Sequence, residues 1–208
     1  MAKYNLSHTA EALSAEKLRA DQRQQIEAIR ANRNLSPEGK RAQIASVYLR
    51  AKKEVAKLEQ QEATARANRI HSLRKSVFGL GLGYQSAQDM ISYRDAQDRV
   101  ASLGHDDEDK ASQLLDRAEL SGDTVLASAV VNRALEAGWV NVANAYIEAH
   151  PHYGSMVEEL WDLNQASPEN ETNIGKAFEN SFAFHLEKPH EIGHLNMESQ
   201  IEAVANEA

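Results

Sequence analysis

Apolar residues recur at helical spacing from the start of the chain. Leucines and isoleucines give a first predicted helix a thin apolar face, at Leu6, Leu13, Leu18, Ile26 and Ile29. The segment from Asn32 to Pro37 interrupts this pattern, and a second helix is predicted to begin there. Ser36 suits its N-cap, Pro37 its first position and Glu38 its first turn, where a carboxylate meets the positive end of the helix dipole.

The second predicted helix carries the spacing of a coiled-coil seam. Its apolar positions step by four, three, four and three residues, at Ile44, Tyr48, Ala51, Val55 and Leu58. Glu62 and Arg69 then stand where the next apolar residues should fall. Two heptads do not identify the partner, so either the first helix folds back onto the seam or a second subunit covers it. We favour the hairpin, with the five seam residues available for further association.

Alternating glycine and leucine at 79–83 end this N-terminal arm. The run follows a predicted helix rather than a strand and contains no Lys-Ser or Lys-Thr pair, so it lacks the context of a phosphate-binding loop. Glycine-rich segments between helices more often act as hinges. We therefore predict a hinge at 79–85.

Short helices are predicted beyond the hinge. Apolar faces separated by glycine, aspartate or proline corners extend to about residue 103 and then through 106–150, with one further helix after that. The helices of 106–150 have the densest apolar pattern, which includes Trp139 as an expected core residue. Their layout resembles one unit of a helical solenoid, although no second copy follows at a fixed period. From about residue 188 the chain has little to bury, which predicts a mobile tail.

The predicted fold is therefore all-α, with an N-terminal helical hairpin or coiled-coil arm followed by a compact multi-helix domain. Its predicted segments are a basic coiled-coil arm at 1–78, a glycine hinge at 79–85, an acidic helical domain at 86–187 and a mobile tail at 188–208. The composition agrees, because 6% aromatic residues and 4 prolines in 208 residues favour helices over a sandwich or barrel.

The net charge of −8 is unevenly distributed. Residues 1–76 hold 16 Lys and Arg against 8 Asp and Glu, which is +8, and residues 77–208 hold 7 against 23, which is −16. Such a split lets the basic end meet an acidic partner, nucleic acid or the acidic end of another copy, or it produces two differently solvated faces. The lack of cysteine excludes disulfides and thiolate zinc sites and is consistent with the cytoplasm. No stretch reaches the about 18 apolar residues of a membrane span.

One short string could carry chemistry. His190, Glu191 and His194 satisfy the H-E-x-x-H pattern, in which two imidazoles on a helix bind zinc and the glutamate activates water. No histidine follows to serve as a third ligand, and Pro189 with sparse apolar flanks indicates an exposed short helix. We interpret the string as coincidental, with incidental metal binding by His185, His190 and His194 as the alternative. No catalytic residue and no cofactor are predicted.

Two segments carry a resemblance to a known class of proteins. The stretch that begins Asn34-Leu-Ser-Pro-Glu-Gly and runs through Leu58, and the stretch from Ser121 to Trp139, resemble parts of small helical virion-assembly and structural proteins of tailed bacteriophages, notably those infecting actinobacteria. The resemblance covers about a third of the chain. It implies a scaffolding-like or minor head protein that binds capsid or portal proteins in the host cytoplasm during assembly, or in the virion.

The sequence thus supports a leading hypothesis and two alternatives. The leading one is a non-enzymatic assembly protein that forms a homo-oligomer through the seam and binds partners through its helical domain. The first alternative is a nucleic-acid-associated protein whose basic arm contacts phosphates, through Lys52, Lys53, Lys57, Arg66, Arg69, Arg74 and Lys75. The second is a zinc metallohydrolase built on the H-E-x-x-H string.

Overall fold

The structure is a computed structural model that describes residues 4–79, 87–165 and 182–207, with the side chains of α3 described from residue 90. The predicted all-α class is confirmed, since every regular element in these ranges is helical. The helices are α1 (Ala10–Ala31), α2 (Pro37–Phe78), α3 (Ala87–Ala101), α4 (Glu108–Ser121), α5 (Thr124–Ala137), α6 (Val140–Ala149), α7 (Gly154–Gln165) and α8 (Glu198–Ala205). Single 3-10 turns occur at Leu6–His8 and His190–Ile192.

Side-chain caps begin several of these helices, among them the predicted cap at Ser36. The hydroxyl of Ser36 accepts a hydrogen bond from the Gly39 amide at 3.0 Å, as expected for the N-cap of α2. Thr9 caps α1 by accepting from the Ala12 amide at 3.2 Å, and Asp123 caps α5 by accepting from the Leu126 amide at 3.0 Å. These bonds satisfy amides that a helix cannot pair internally, so they set where each helix starts.

The chain folds as two compact units whose boundary differs from the predicted one. One unit contains Tyr4 and the described residues from Arg66 to Gln165, and the other contains Asn5–Ala65 and the described residues 182–207. The predicted arm at 1–78 is therefore divided, because Leu73 and its neighbours at the end of α2 are buried in the core of the multi-helix unit. Of the predicted hinge at 79–85, only Gly79 lies within the described residues.

The hairpin unit is built from α1 and the first part of α2. The Lys40 ammonium donates to the Arg30 carbonyl at 2.6 Å, and the Arg50 guanidinium donates to the Gln25 side-chain oxygen at 2.5 Å. Later residues of α2 thus meet earlier residues of α1, as in an antiparallel pair. The hairpin that the sequence favours is present.

The seam residues lie in the interior of this single chain. Ile44 has no exposed surface, Tyr48, Ala51 and Val55 are also buried, and Leu58 is partly buried. This burial is reached within the single chain, so no second subunit is required to cover these side chains. Their predicted role in oligomerisation stays a prediction.

The C-terminal segment also differs from expectation. The sequence predicts a tail from 188 with little to bury, but Ile192, Ile201 and Val204 form an apolar cluster with Ala45 and Tyr48 of α2. The apolar residues of this segment are few, so their sparse pattern alone did not reveal that a complementary surface exists elsewhere in the chain. The expectation of an uncovered tail is corrected by this cluster.

The multi-helix unit is organised around α5, which packs against α3, α4, α6 and α7. Helices α4 and α5 end at glycine corners, where Gly122 and Gly138 adopt φ of 70° and 78° in the left-handed region that favours glycine. Trp139 follows the second corner and is buried, as predicted. Its indole N–H donates to the His105 carbonyl at 2.7 Å.

The burial of Trp139 predicts a large loss of stability on truncation. Trp139→Ala removes the indole from the core together with its hydrogen bond, so the multi-helix unit should lose about 3 to 5 kcal/mol in free energy of unfolding. Chemical denaturation followed by far-ultraviolet circular dichroism measures this loss. Val140 is half exposed, and the control Val140→Ala should unfold nearly as the parent does. An unchanged transition for Trp139→Ala would place the indole outside the core.

Candidate functional site

The C-terminal segment, residues 182–207, lies along the helical hairpin and follows its turn. Arg19 of α1 donates to the carbonyl of Phe182 at 2.6 Å, and Arg30 at the end of α1 binds Glu191. Beyond the hairpin turn, Arg41 and Lys52 of α2 contact the following part of the segment. We call Arg19, Arg30, Arg41 and Lys52 the clasp. They are distributed along both helices in the order in which the segment passes them.

The strongest contact of the clasp joins Arg30 to Glu191. The guanidinium donates to both carboxylate oxygens, with Nε to Oε1 at 2.7 Å and Nη2 to Oε2 at 2.9 Å. A planar fork meeting a carboxylate in this way is among the stronger polar interactions in proteins. The Arg30 hydrogen bond, which outweighs the opposing effect of burial, holds the pKa of Glu191 below its usual range. Glu191 in turn raises the pKa of Arg30.

The two histidines of the H-E-x-x-H string also contact the clasp. Arg30 Nη2 lies 3.0 Å from His190 Nδ1, and Arg41 Nη2 lies 2.8 Å from His194 Nε2. Arginine can only donate, so a hydrogen bond at either contact uses the lone pair of the ring nitrogen as its acceptor. The lone pair that a metal would need on each of these nitrogens is therefore already in use.

The backbone of the string does not have the geometry of a zinc-binding helix. Residues His190–Ile192 form a single 3-10 turn, and the Gly193 amide closes it by donating to the His190 carbonyl at 3.1 Å. Two imidazoles four residues apart share a face only on an α-helix, so this turn does not place them as a zincin does. Within the part of the chain that the structure describes, no group of three or more His, Asp or Glu could hold a metal ion, and His185 is not brought into such a group.

Apolar contacts hold the segment where the clasp ends. Helix α8 turns Ile201 and Val204 inward, three residues apart on one face, against Tyr48 of α2. The side chain of Lys52 pairs with Glu198 in the first turn of α8. The pattern at 198–205 is amphipathic over two turns, which is the only signal in the sequence from which this contact could have been inferred.

The basic residues proposed for nucleic acid are largely engaged within the protein. Arg69 makes two bonds to Glu159, at 2.6 and 2.7 Å, and Arg74 lies 3.3 Å from Glu136. Lys57 lies 3.9 Å from Glu54, and Lys52 pairs with Glu198. Four of the seven candidates thus face carboxylates of this chain, and a phosphate backbone would have to compete with those carboxylates.

The multi-helix unit contains a separate pocket of about 380 Å³ between the end of α2 and the helices α5 and α6. Aromatic rings form much of its wall. The rings of Tyr146 and His150 are tilted against each other at 4.4 Å between centroids, and those of His152 and Tyr153 at 4.0 Å. His150 Nε2 lies 2.8 Å from Glu119, and burial raises the pKa of Tyr146. The His150–Glu119 contact joins the end of α6 to α4, so this ring has a packing role that needs no ligand.

Comparison with protein-family models, with curated proteins and with solved structures gives no match for this chain. No helix in the described ranges is both long and apolar enough to cross a lipid bilayer. The site is therefore interpreted from its own geometry. That geometry is a cationic, partly apolar face that holds a peptide segment.

The Arg30–Glu191 contact predicts a measurable pKa difference. Because the folded pKa of Glu191 is lowered, this carboxylate stabilises the folded protein at neutral pH, and the contribution is lost as the pH falls through the folded pKa. A side-chain carboxyl titration by nuclear magnetic resonance should place Glu191 below an ordinary glutamate. The same titration in Arg30→Gln should move the pKa upward. Equal values in the two proteins would contradict the pairing.

The histidine contacts predict weak zinc binding. The protein would be purified without a histidine tag, incubated with excess zinc and then dialysed. It should retain well under one zinc ion per chain, because two of the imidazole nitrogens accept hydrogen bonds from arginines and three protein ligands are not assembled. Elemental analysis gives the molar ratio of zinc to protein. The matched control Arg41→Gln frees His194, and its zinc content should remain low. Stoichiometric zinc that resists dialysis would require a different arrangement of the string.

Proposed function

We propose that this chain is a non-enzymatic assembly protein that acts by oligomerisation and by binding partner proteins. The resemblance of the 34–58 and 121–139 segments to phage proteins favours a scaffolding-like or minor head protein of a tailed bacteriophage. It would work in the host cytoplasm while particles form, or remain in the virion. Capsid or portal proteins are the partners that this role implies.

One observation carries the proposal. The hairpin presents four cationic side chains and an apolar face that together bind an acidic peptide segment, and the segment in this structure is the chain's own C-terminus. Surfaces of this kind recognise protein chains rather than small substrates, because the contacts are spread along an extended element. Assembly proteins need such surfaces.

The residues that would support a metallohydrolase or a nucleic-acid-binding protein make contacts within this chain. In a metallohydrolase the glutamate of the H-E-x-x-H string must be free to take a proton from water, whereas both oxygens of Glu191 are bound by Arg30. For the nucleic-acid alternative, charge contacts would provide most of the affinity, and several of the required cations already face carboxylates.

A reconstitution experiment tests the proposed function. The chain would be co-expressed with the capsid and portal proteins of a tailed bacteriophage that carries its gene, and the products would be examined by electron microscopy. We expect closed, uniform shells only when the chain is present, because assembly proteins guide subunits that otherwise associate irregularly. A matched preparation with Trp139→Ala, which destabilises the multi-helix unit, should give fewer regular shells. Shells of the same number and shape without the chain would contradict the proposal.

A further inference from the structure

We propose that the C-terminal segment, residues 182–207, exchanges between copies, so that the segment of one chain occupies the hairpin of a second chain and the reverse. The proposal names the partner surface for the oligomer and rests on the proposed function. The occupant is a second copy of this chain. The surface is the clasp together with the apolar face of α2 at Ala45 and Tyr48.

Charge complementarity identifies the segment as the ligand of the hairpin. Residues 182–207 contain five glutamates and one lysine, and two of those glutamates, Glu191 and Glu198, pair with Arg30 and Lys52. Every copy of the chain carries both the cationic surface and the acidic segment. Two copies are therefore complementary in both directions, which is the condition for a closed twofold assembly.

The position of the segment in the sequence makes exchange feasible. The hairpin ends at Ala65 and the segment begins at 182, with the whole multi-helix unit between them in sequence. The hairpin and the segment are thus far apart in sequence, and side-chain contacts rather than a short loop hold them together. The same ion pairs and apolar contacts form whether the segment comes from the same chain or from another. The balance between the two forms is then set by the tether and by protein concentration.

Exchange would leave the hairpin intact. Its own helix pairing is made by contacts outside the segment, such as Arg50 with Gln25 and Lys40 with the Arg30 carbonyl. The segment contributes only one side of the apolar cluster, through Ile192, Ile201 and Val204. The Lys52–Glu198 pair is about half exposed on both sides, at 44% and 55%, so it provides specificity and little stability.

Complementary charge reversal tests the proposal. One variant carries Arg30→Glu and the other Glu191→Arg, so that each alone places like charges together both within a chain and between identical chains. When the two variants are mixed, reciprocal exchange restores both ion pairs. The glutamate at position 30 of the first variant then meets the arginine at position 191 of the second, and Arg30 of the second variant meets the native Glu191 of the first. A double variant with both changes in one chain restores the pair internally and controls for folding.

Native mass spectrometry and light scattering measure the masses of the species that form. We expect the mixture to form a species of twice the 23.1 kDa chain mass that contains one copy of each variant, in several-fold excess over what either variant forms alone. The double variant should behave as the wild type. If either single change disrupts the hairpin, the exposed pair Lys52→Glu and Glu198→Lys repeats the design at a site where folding depends less on charge.

The outcomes separate this inference from the proposed function. Mixed and unmixed dimers in random proportion would show association through another surface, which overturns the exchange and leaves the assembly role standing. A mixture that stays monomeric while the wild type oligomerises overturns the exchange in the same way. A wild type and a mixture that both stay monomeric at high concentration would overturn the exchange and the proposed self-association together.

Discussion

Helix α2 must cover its apolar side chains to remain helical over 42 residues, and the rest of the structure follows from how the chain provides that cover. Isolated helices in water gain little from propensity alone, and packing supplies most of their stability. Ala45 and Tyr48 are buried in the apolar cluster of the hairpin unit, whereas Leu73 and Val77 are buried in the multi-helix core. A single helix therefore contributes to two cores. The boundary between the two units therefore falls within α2, and the hairpin unit is discontinuous in sequence because residues of the C-terminal segment pack on it.

The uneven charge of the chain is partly explained by contacts within it. A basic arm and an acidic remainder could each have faced a separate partner, but in this structure Arg30 and Lys52 bind Glu191 and Glu198. Similar pairs join Arg69 and Arg74 to carboxylates inside the multi-helix unit. Most of these pairs are at least partly exposed, so they contribute more to the choice of partner and alignment than to the free energy of folding. The buried apolar residues beside them contribute the larger share.

The H-E-x-x-H string illustrates why a short motif requires its structural context. The same residue types that bind zinc on an α-helix here receive hydrogen bonds from two arginines at the end of the hairpin. The chemical requirement for a base is an available lone pair in a suitable position. Both oxygens of Glu191 accept from Arg30, and His190–Ile192 form a 3-10 turn rather than the α-helix on which a zincin places its histidines. The residues of the H-E-x-x-H string instead join the C-terminal segment to the hairpin.

Much of the fold was determined by the sequence itself. Helical periodicity, the Ser36 cap and the corners at Gly122 and Gly138 are local features, and their energies depend on residues within one turn. They therefore predicted the helices, the hairpin and the burial of Trp139. The sequence could not determine which residue each charged side chain contacts. Whether Glu191 meets solvent, zinc or Arg30 depends on a contact between residues 161 positions apart, and only the tertiary structure decides it, because long-range pairing leaves no periodic trace in the local pattern.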